Sequence, residues 1–338
     1  MDFTLDETQQ AVADLAATVL RTEPDHARAT AALASPSGYD ETLWKAVAQA
    51  GLLALAVPAA AGGDGLGSVE VAAVLAEVGR QVLPSPALST LALGVLPLAA
   101  AGAHGALADV PDGAVLTAAL QPMALRGGTL TGRARGVAYA AQAQRIVVPH
   151  QDGLALLDPA GATLTRTPTS TGAPEYTVEC TSAPVDAVLS CDPDAVAQYA
   201  VAGALAVADG VLAGALELTT RHLRERVQFG RPLATFQAVA QEIGDIYITS
   251  RTIHLAAAAV NWALANDRDA TDDIEIGAYW LAAELPAALQ MCHHLHGGLG
   301  VDITYPLHRY YSHAKDLARF VGGAAFRLDR IGVPCTSS

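Results

Sequence analysis

The stretch Arg224-Glu-Arg-Val-Gln-Phe-Gly-Arg-Pro232, followed by Phe236-Gln237, lies between two long apolar segments and decides how the chain is interpreted. Arg226 carries a planar guanidinium that suits a diphosphate, and Gly230-Arg231-Pro232 predicts a sharp turn. The same residues also fit a helix C-terminus, where basic side chains complement the dipole and glycine and proline end the helix. The residues by themselves leave both interpretations open.

Long helical patterns lie on both sides of this stretch. Apolar spacing predicts helices over about 194–224, 233–265, 271–294 and 306–331, with Thr271 as the cap of the third. Their alanine-rich faces allow neighbouring helices to approach closely. Residues 193–338 are therefore predicted to form a C-terminal four-helix bundle.

Residues 111–192 show a different pattern, in which short β-favouring runs are separated by turn residues. The runs are Val115–Leu120, Thr129–Thr131, Arg145–Val148, Leu154–Leu157, Thr163–Thr165, Tyr176–Cys180 and Val185–Leu189. Gln151-Asp152-Gly153 falls between two of them and predicts a hairpin turn. The pattern indicates a small central antiparallel β domain.

Residues 1–110 predict an N-terminal helical domain of four helices bounded by capping and breaking residues. The helices begin at a Thr4/Glu7 capping box, at Asp40, at Ser68 and at about residue 86, and the second and third end at Gly51 and Gly79. Residues 22–38 are polar and breaker-rich and predict a loop. The whole chain therefore has the α+β class, with the order helices, small β domain, helical bundle.

Composition excludes several classes of protein. The 338 residues carry 34 Asp and Glu against 20 Lys and Arg, a net charge of −14, so we expect no nucleic-acid partner. The apolar stretches are interrupted before about 20 residues, which predicts no membrane span. The four cysteines form no C-x-x-C pair, and reduced thiols in a cytoplasmic protein are expected, although two distant bridges stay open.

A second glycine-rich stretch, His294-Leu-His296-Gly297-Gly298-Leu-Gly300, leaves backbone N–H groups open to a phosphate. A helix that ends in glycines explains it equally well. His293, His294 and His296 lack the i, i+4 spacing of a helical zinc pair, so no metal site is predicted.

These stretches, with the early Trp44, Gly51, Pro58 and Gly62-Gly63-Asp64-Gly65, together resemble the acyl-CoA dehydrogenase family over essentially the whole chain. The resemblance implies an N-terminal helical domain, a central β domain and a C-terminal four-helix bundle. It also implies FAD at a subunit interface and oxidation of acyl-CoA thioesters to 2,3-enoyl-CoA.

The resemblance assigns cofactor contacts position by position. Arg226, Gln228, Phe229 and Gln237 would meet the adenosine-diphosphate end of an FAD held mainly by the neighbouring subunit. The backbone around His294, Leu295, Gly297 and Gly298 would line the same cofactor. His294 replaces the glutamine usual in the family and can still donate a hydrogen bond.

Two departures from the family pattern concern the chemistry. The reaction needs a carboxylate to remove the α-proton, yet the usual glutamate position holds Val321 or Gly322, and the alternative position holds Ala200. No catalytic residue is therefore assigned. The Thr-Glu-Pro…Gly-Ser-Asp loop that packs on the flavin ring is also missing from Leu116–Pro122 and Leu125–Gly128.

These departures resemble the base-less subunit of the heteromeric (α2β2) acyl-CoA dehydrogenases of actinobacteria, several of which act on steroid side-chain CoA esters. The resemblance implies a catalytic partner subunit, an acyl-CoA substrate and an electron-transfer flavoprotein or similar acceptor. Two alternatives stay open. One is a self-sufficient homo-oligomer whose base has moved to Glu217, Glu242 or Glu284, and the other is a flavin-free scaffold protein.

Overall fold

The computed structural model describes residues 3–21 and 26–336, with side chains for all of these except His26 and residues 333–336. Helices fill the first part of the chain: α1 (Glu7–Leu20), α2 (His26–Ala34), α3 (Glu41–Gln49), α4 (Ser68–Gln81) and a π-helical segment Leu88–Val95 that continues into α5 (Leu96–Ala100). Short 3-10 turns lie at Ala59–Ala61 and His104–Ala106.

The central part contains eight strands in two four-stranded sheets. They are β1 (Leu116–Ala118), β2 (Ala124–Arg126), β3 (Thr129–Ala138), β4 (Arg145–His150), β5 (Gly153–Leu157), β6 (Thr163–Thr167), β7 (Glu175–Pro184) and β8 (Ala187–Ser190). One sheet has the order β1-β4-β5-β8 and the other β2-β3-β7-β6. The predicted hairpin joins β4 to β5, with His150 opposite Gly153. Every pair is antiparallel except β1 with β4, which is parallel.

Side-chain alternation places the first sheet in the middle of the molecule. Along β4, Ile146 and Val148 pack into the core shared with the other sheet, whereas Val147 packs into the helical core. Successive residues of a strand point to opposite faces, so a strand covered on both sides is apolar throughout. The sheet therefore joins the N- and C-terminal helices to the second sheet.

Long helices return after the sheets. They are α6 (Ala195–Glu225), α7 (Gln237–Ala265), α8 (Thr271–His296), α9 (Leu307–Phe320) and α10 (Ala324–Thr336), with the two-residue strands β9 (Val227–Gln228) and β10 (Arg231–Pro232) between α6 and α7. By length and composition alone α6 could cross a membrane, contrary to the sequence prediction, but 78% of its most apolar window is buried within the protein. Such burial is typical of a core helix.

Several predicted boundaries are corrected by the structure. Asp6, rather than Thr4, caps α1, because its carboxylate accepts from the Gln9 N–H while Gln9 reaches back to the Asp6 N–H. Part of the loop predicted over residues 22–38 is helix α2. Gly79 lies inside α4, which continues to Gln81. Its position reflects helix packing and not helix termination.

Corrections also apply to the C-terminal part. Thr271 is the first residue of α8 and not its cap, which is Ala270. The helix predicted over 306–331 is two helices, because Gly322 and Gly323 adopt φ values of 90° and 83° that interrupt the α-helix. Elements change from helix to strand between Ala106 and Leu116 and back to helix between Ser190 and Ala195. The domain limits at 110/111 and 192/193 stay predictions.

The start of α3 gives a prediction with a pH dependence. Partial burial opposes ionisation of Asp40, but hydrogen bonds from the Leu43 N–H and the Arg28 guanidinium outweigh it and hold the pKa of Asp40 below its usual value. Asp40→Ala should therefore lower the free energy of unfolding by about 1 kcal/mol. Urea denaturation followed by circular dichroism measures the change.

The sign of the pH effect follows from that lowered pKa. The Asp40 carboxylate contributes to the free energy of unfolding at pH values above its unfolded pKa of about 3.9. This contribution is lost as the pH falls through the lower pKa of the folded state. Asp40→Asn is the matched control, since asparagine caps a helix as well as aspartate does. It should keep most of the stability at pH 7 and lose the acid dependence. Equal losses in both variants at pH 7 would contradict this account of the cap.

Candidate cofactor site

Residues 224–232 complete α6 and then form a hairpin. Arg226 ends that helix, with its N–H donating to the His222 carbonyl at 2.8 Å. Strands β9 and β10 pair Gln228 with Arg231. The two turn residues, Phe229 and Gly230, both have positive φ, 52° and 81°. The predicted helix end and the predicted sharp turn are both confirmed, whereas the diphosphate contact of Arg226 stays a prediction.

Phe229 is an unusual residue for the tip of this turn. A bulky side chain at positive φ is strained, and the Phe229 ring is 90% exposed. It makes an edge contact with Phe236 at 6.1 Å, and the Arg231 guanidinium lies 4.1 Å from the centre of the Phe236 ring. Strain combined with exposure indicates a surface that contacts something outside this chain.

The second glycine-rich stretch lies beside the hairpin. Helix α8 ends at His296, and Gly297 follows with φ 58°. Apart from its chain neighbours, no atom of the described residues lies within 4 Å of the position that a Cβ would take at Gly297 or at Gly298. The backbone is therefore open to a ligand on this side. His294 is exposed and its Nε2 lies 3.9 Å from the Glu242 carboxylate on α7, while Leu295 is buried.

A cleft of about 570 Å³ brings the two stretches together. It is lined by His222, Glu225, Arg226, His296, Gly298 and Leu299. Arg226 and Gly298 are residues of the predicted cofactor set that face it directly. Gln228, Phe229 and Gln237 are exposed at its side of the molecule but are not part of its lining.

These donors fit an anionic cofactor such as the diphosphate of FAD. Arginine can bind two phosphate oxygens at once, and the open glycine backbone can approach them closely. Two buried polar atoms close to this region, Glu242 Oε2 and His293 Nε2, have no hydrogen-bond partner among the described residues. Unpartnered buried polar atoms are rare and fit a site completed by another molecule.

A second cavity, of about 580 Å³, lies where the helices meet the sheets, and it shares no lining residue with the cleft. Its wall includes Val82, Leu88 and Leu93 from the N-terminal part and Leu317 and Phe320 from α9. Its interior is largely apolar, as is usual for a cavity that holds an organic ligand.

The two carboxylates that line this cavity are both engaged. Glu175 is 9% exposed and accepts from Arg319 at 3.1 and 2.5 Å, and from the Thr167 hydroxyl at 3.1 Å. Asp316 accepts from the Ser170 and Thr171 N–H groups at 2.9 Å each. A carboxylate that already accepts several hydrogen bonds from its own chain is not free to reach a substrate.

The positions that the resemblance assigns to the catalytic base hold no titratable side chain. Val321 is 1% exposed and Ala200 is 1% exposed in the core of α6, and Gly322 has no side chain. Glu217, Glu242 and Glu284, the candidates for a relocated base, line neither cavity. Glu217 instead lies 3.4 Å from Arg80. None of these positions therefore offers a proton acceptor to either cavity.

The sequence alone does not identify some of the residues that line the two cavities. His222 could have been found, because it lies one helical turn before Arg226 and so shares its face. The sequence pattern around His296 raises only the question of a metal ligand, and no group of three or more His, Cys, Asp or Glu able to hold a metal occurs in the described part of the chain. Glu175, Asp316 and Arg319 come together only through tertiary structure.

Comparison with known proteins agrees with this architecture. A model of the acyl-CoA dehydrogenase N-terminal domain matches residues 6–105, and a model of the C-terminal domain of the same family matches residues 200–332. The chain belongs to the acyl-CoA dehydrogenase family, a family of oxidoreductases.

Three individual proteins resemble this chain over nearly its whole length. The acyl-CoA dehydrogenase FadE28 of Mycobacterium tuberculosis is 43% identical over 99% of both chains. A chain of the steroid ACAD Tcur3481-Tcur3483, solved as a variant, has a TM-score of 0.90 at 32% identity and covers 99% of this chain and 100% of its own length. A chain of the ChsE4-ChsE5 complex from Mycobacterium tuberculosis has a TM-score of 0.89 at 29% identity, with both chains fully covered.

Proposed function

We propose that this chain is the non-catalytic subunit of a heteromeric, FAD-dependent acyl-CoA dehydrogenase. It completes the FAD site of a catalytic partner subunit in an α2β2 assembly and supplies no base of its own. The observation that carries the proposal is the separation of the two cavities. The cleft is lined by the proposed phosphate-binding groups. In the second cavity, Glu175 is bonded to Arg319 and Asp316 is bonded to the Ser170 and Thr171 backbone.

The surface groups define what this chain does in such an assembly. FAD, when bound, supplies the hydride acceptor for 2,3-desaturation of the thioester. Arg226 binds the diphosphate and neutralises part of its charge. Gln228 and Gln237 donate hydrogen bonds to its polar atoms, and the exposed Phe229 ring excludes water from the nucleotide. Gly297 and Gly298 let their backbone N–H groups reach the phosphate oxygens.

The catalytic partner supplies the groups that this chain lacks. A carboxylate must remove the α-proton of the substrate, and the partner must also hold the reacting ring of the flavin. The substrate is proposed to be the CoA ester of a steroid side chain, since the Tcur3481-Tcur3483 relative is a steroid ACAD. The electron acceptor is an electron-transfer flavoprotein or a similar protein, and the assembly is cytoplasmic.

Arg226→Ala tests the proposal directly. Loss of a charge-assisted contact of about 1.5–3 kcal/mol should weaken FAD binding by the co-purified complex roughly 10- to 100-fold. Arg126→Ala is the matched control, because Arg126 is an exposed arginine on β2 that lines neither cavity. It should leave FAD binding unchanged. Flavin fluorescence during titration of the FAD-stripped complex gives the affinity.

Flavin content and enoyl-CoA formation, measured on the lone chain and on the complex, distinguish this proposal from its alternatives. The chain should hold no stoichiometric FAD and form no enoyl-CoA until it is mixed with a second dehydrogenase chain that carries the base. Flavin and turnover in the lone chain would establish the self-sufficient homo-oligomer instead. A complex without flavin under every condition would establish the scaffold protein.

A further inference from the structure

We propose that His222 is a further FAD-binding residue, whose imidazole takes up a proton when the diphosphate enters the cleft beside Arg226. The inference rests on the proposed function and assigns a role to a residue outside the predicted cofactor set. The imidazole adds a charge that depends on pH. Arginine cannot provide this, because a guanidinium stays charged at all working pH values.

The geometry of the cleft supports this role. His222 lies one turn before Arg226 on the same face of α6, and both line the cleft with Gly298. The His222 ring stacks on the His296 ring with centroids 4.5 Å apart and planes 18° apart. No side-chain hydrogen bond to His222 is made within the described residues. Its ring is thus held in orientation by stacking alone, with both nitrogens available to a ligand.

His296 is the fixed and neutral member of the stacked pair. Its Nδ1 lies 2.8 Å from the Cys292 carbonyl oxygen, which can only accept, so Nδ1 carries the proton. Its Nε2 lies 3.1 Å from the Tyr305 hydroxyl and therefore accepts from it. Burial lowers the pKa of His296 to about 4. His296 consequently stays uncharged above pH 5 and serves as the support for His222.

The charges around His222 set its response to an anion. From its own helix, Arg226 and Glu225 act on His222, and from α8 the His296 ring stacks on it. Around this pair, His293 acts on His296, while Arg221 and Glu225 act on Tyr305. Burial and then the Arg226 charge lower the pKa of His222, and Glu225 partly opposes this. These effects together favour a neutral His222.

A bound diphosphate reverses this balance. Its negative charge pairs with Arg226 and raises the pKa of the neighbouring imidazole, since an opposite charge nearby favours the protonated form. Proton uptake is then linked to binding. Affinity should increase as the pH falls through the window between the bound-state and free-state pKa values, by at most tenfold per pH unit. Outside that window it should not change.

The test measures FAD affinity of the stripped complex by flavin fluorescence between pH 5.5 and pH 8. The wild-type complex should bind FAD roughly tenfold more tightly at pH 5.5 than at pH 7.5. His222→Phe keeps a flat ring against His296 but cannot be protonated, so its affinity should be several-fold weaker and independent of pH. His222→Gln provides a second variant that keeps a hydrogen-bond donor without a titration.

The controls separate this inference from the proposed function. His104→Gln changes an exposed histidine on a distant 3-10 turn and should leave the pH profile intact. If Arg226→Ala abolishes binding while both His222 variants keep the wild-type profile, the proposed function stands and the role of His222 is wrong. If no complex binds FAD at any pH, the proposed function itself fails. Melting temperatures of each variant show whether the fold is retained.

Discussion

Gly210→Ala is expected to lower the free energy of unfolding by about 3 kcal/mol, at the upper end of the usual cost of overpacking a core. A Cβ at Gly210 of α6 would lie 1.7 Å from the Ala76 carbonyl oxygen of α4. Across the same crossing, a Cβ at Gly79 would lie 2.1 Å from the Val207 carbonyl oxygen. Both obstacles are backbone atoms, so no side-chain rotation relieves the overlap and the helices must move apart.

Gly244→Ala is the matched control for this prediction. Gly244 lies inside α7, and no atom outside its own helix lies within 4 Å of the position that its Cβ would take. Alanine is the better helix former by about 1 kcal/mol, so this variant should be more stable than the wild type. Urea denaturation of each purified variant measures both changes. Equal stability of the two variants would show that the α4–α6 contact does not limit packing.

Arg319→Met is expected to lower the free energy of unfolding by about 2 kcal/mol, less than for a fully buried pair. Arg319 lies on α9 and its side chain is 51% exposed, whereas the Glu175 side chain on β7 is 12% exposed. Methionine retains the apolar stem but leaves the Glu175 carboxylate with only the Thr167 hydroxyl. The cost therefore comes mainly from a poorly compensated buried charge.

A double-mutant cycle isolates the pair. Glu175→Gln removes the charge that Arg319 neutralises, so the double variant should be more stable than the sum of the two single losses predicts. The same variants should increase proteolytic cleavage of the 168–173 loop, because Asp316 and Arg319 together join α9 to that edge of the sheet. Additive losses and an unchanged cleavage rate would contradict this role of the ion pair.

The order of the elements could be predicted from the sequence because it depends on local periodicity. The β-favouring runs at residues 145–148 and 154–157, and the turn at Gln151-Asp152-Gly153, are confirmed by the pairing of β4 with β5. The Asp40 cap of α3 is confirmed as well. The capping box predicted at Thr4 and Glu7 is wrong by two residues, because Asp6 and Gln9 form it instead.

The candidate site could be predicted in part. The sequence indicated Arg226 and Gly298 from their residue types, and both line one cleft. The roles of Arg226, Gln228, Phe229, Gln237, His294, Leu295, Gly297 and Gly298 in FAD binding stay predictions until binding is measured. The stacking of His222 on His296 could not be foreseen, because the two rings belong to helices that meet only in the folded chain.

Local signals alone thus determined the helix–sheet–helix order and the net negative charge, because periodicity and residue identity need no partner in space. Tertiary structure decided which small residues sit at helix crossings and which charges pair. Gly79 is an example of the first, since it packs against the backbone of α6, and Glu175 is an example of the second, since it pairs with Arg319. Contacts between residues far apart in the chain depend on how whole elements pack, and no local pattern encodes them.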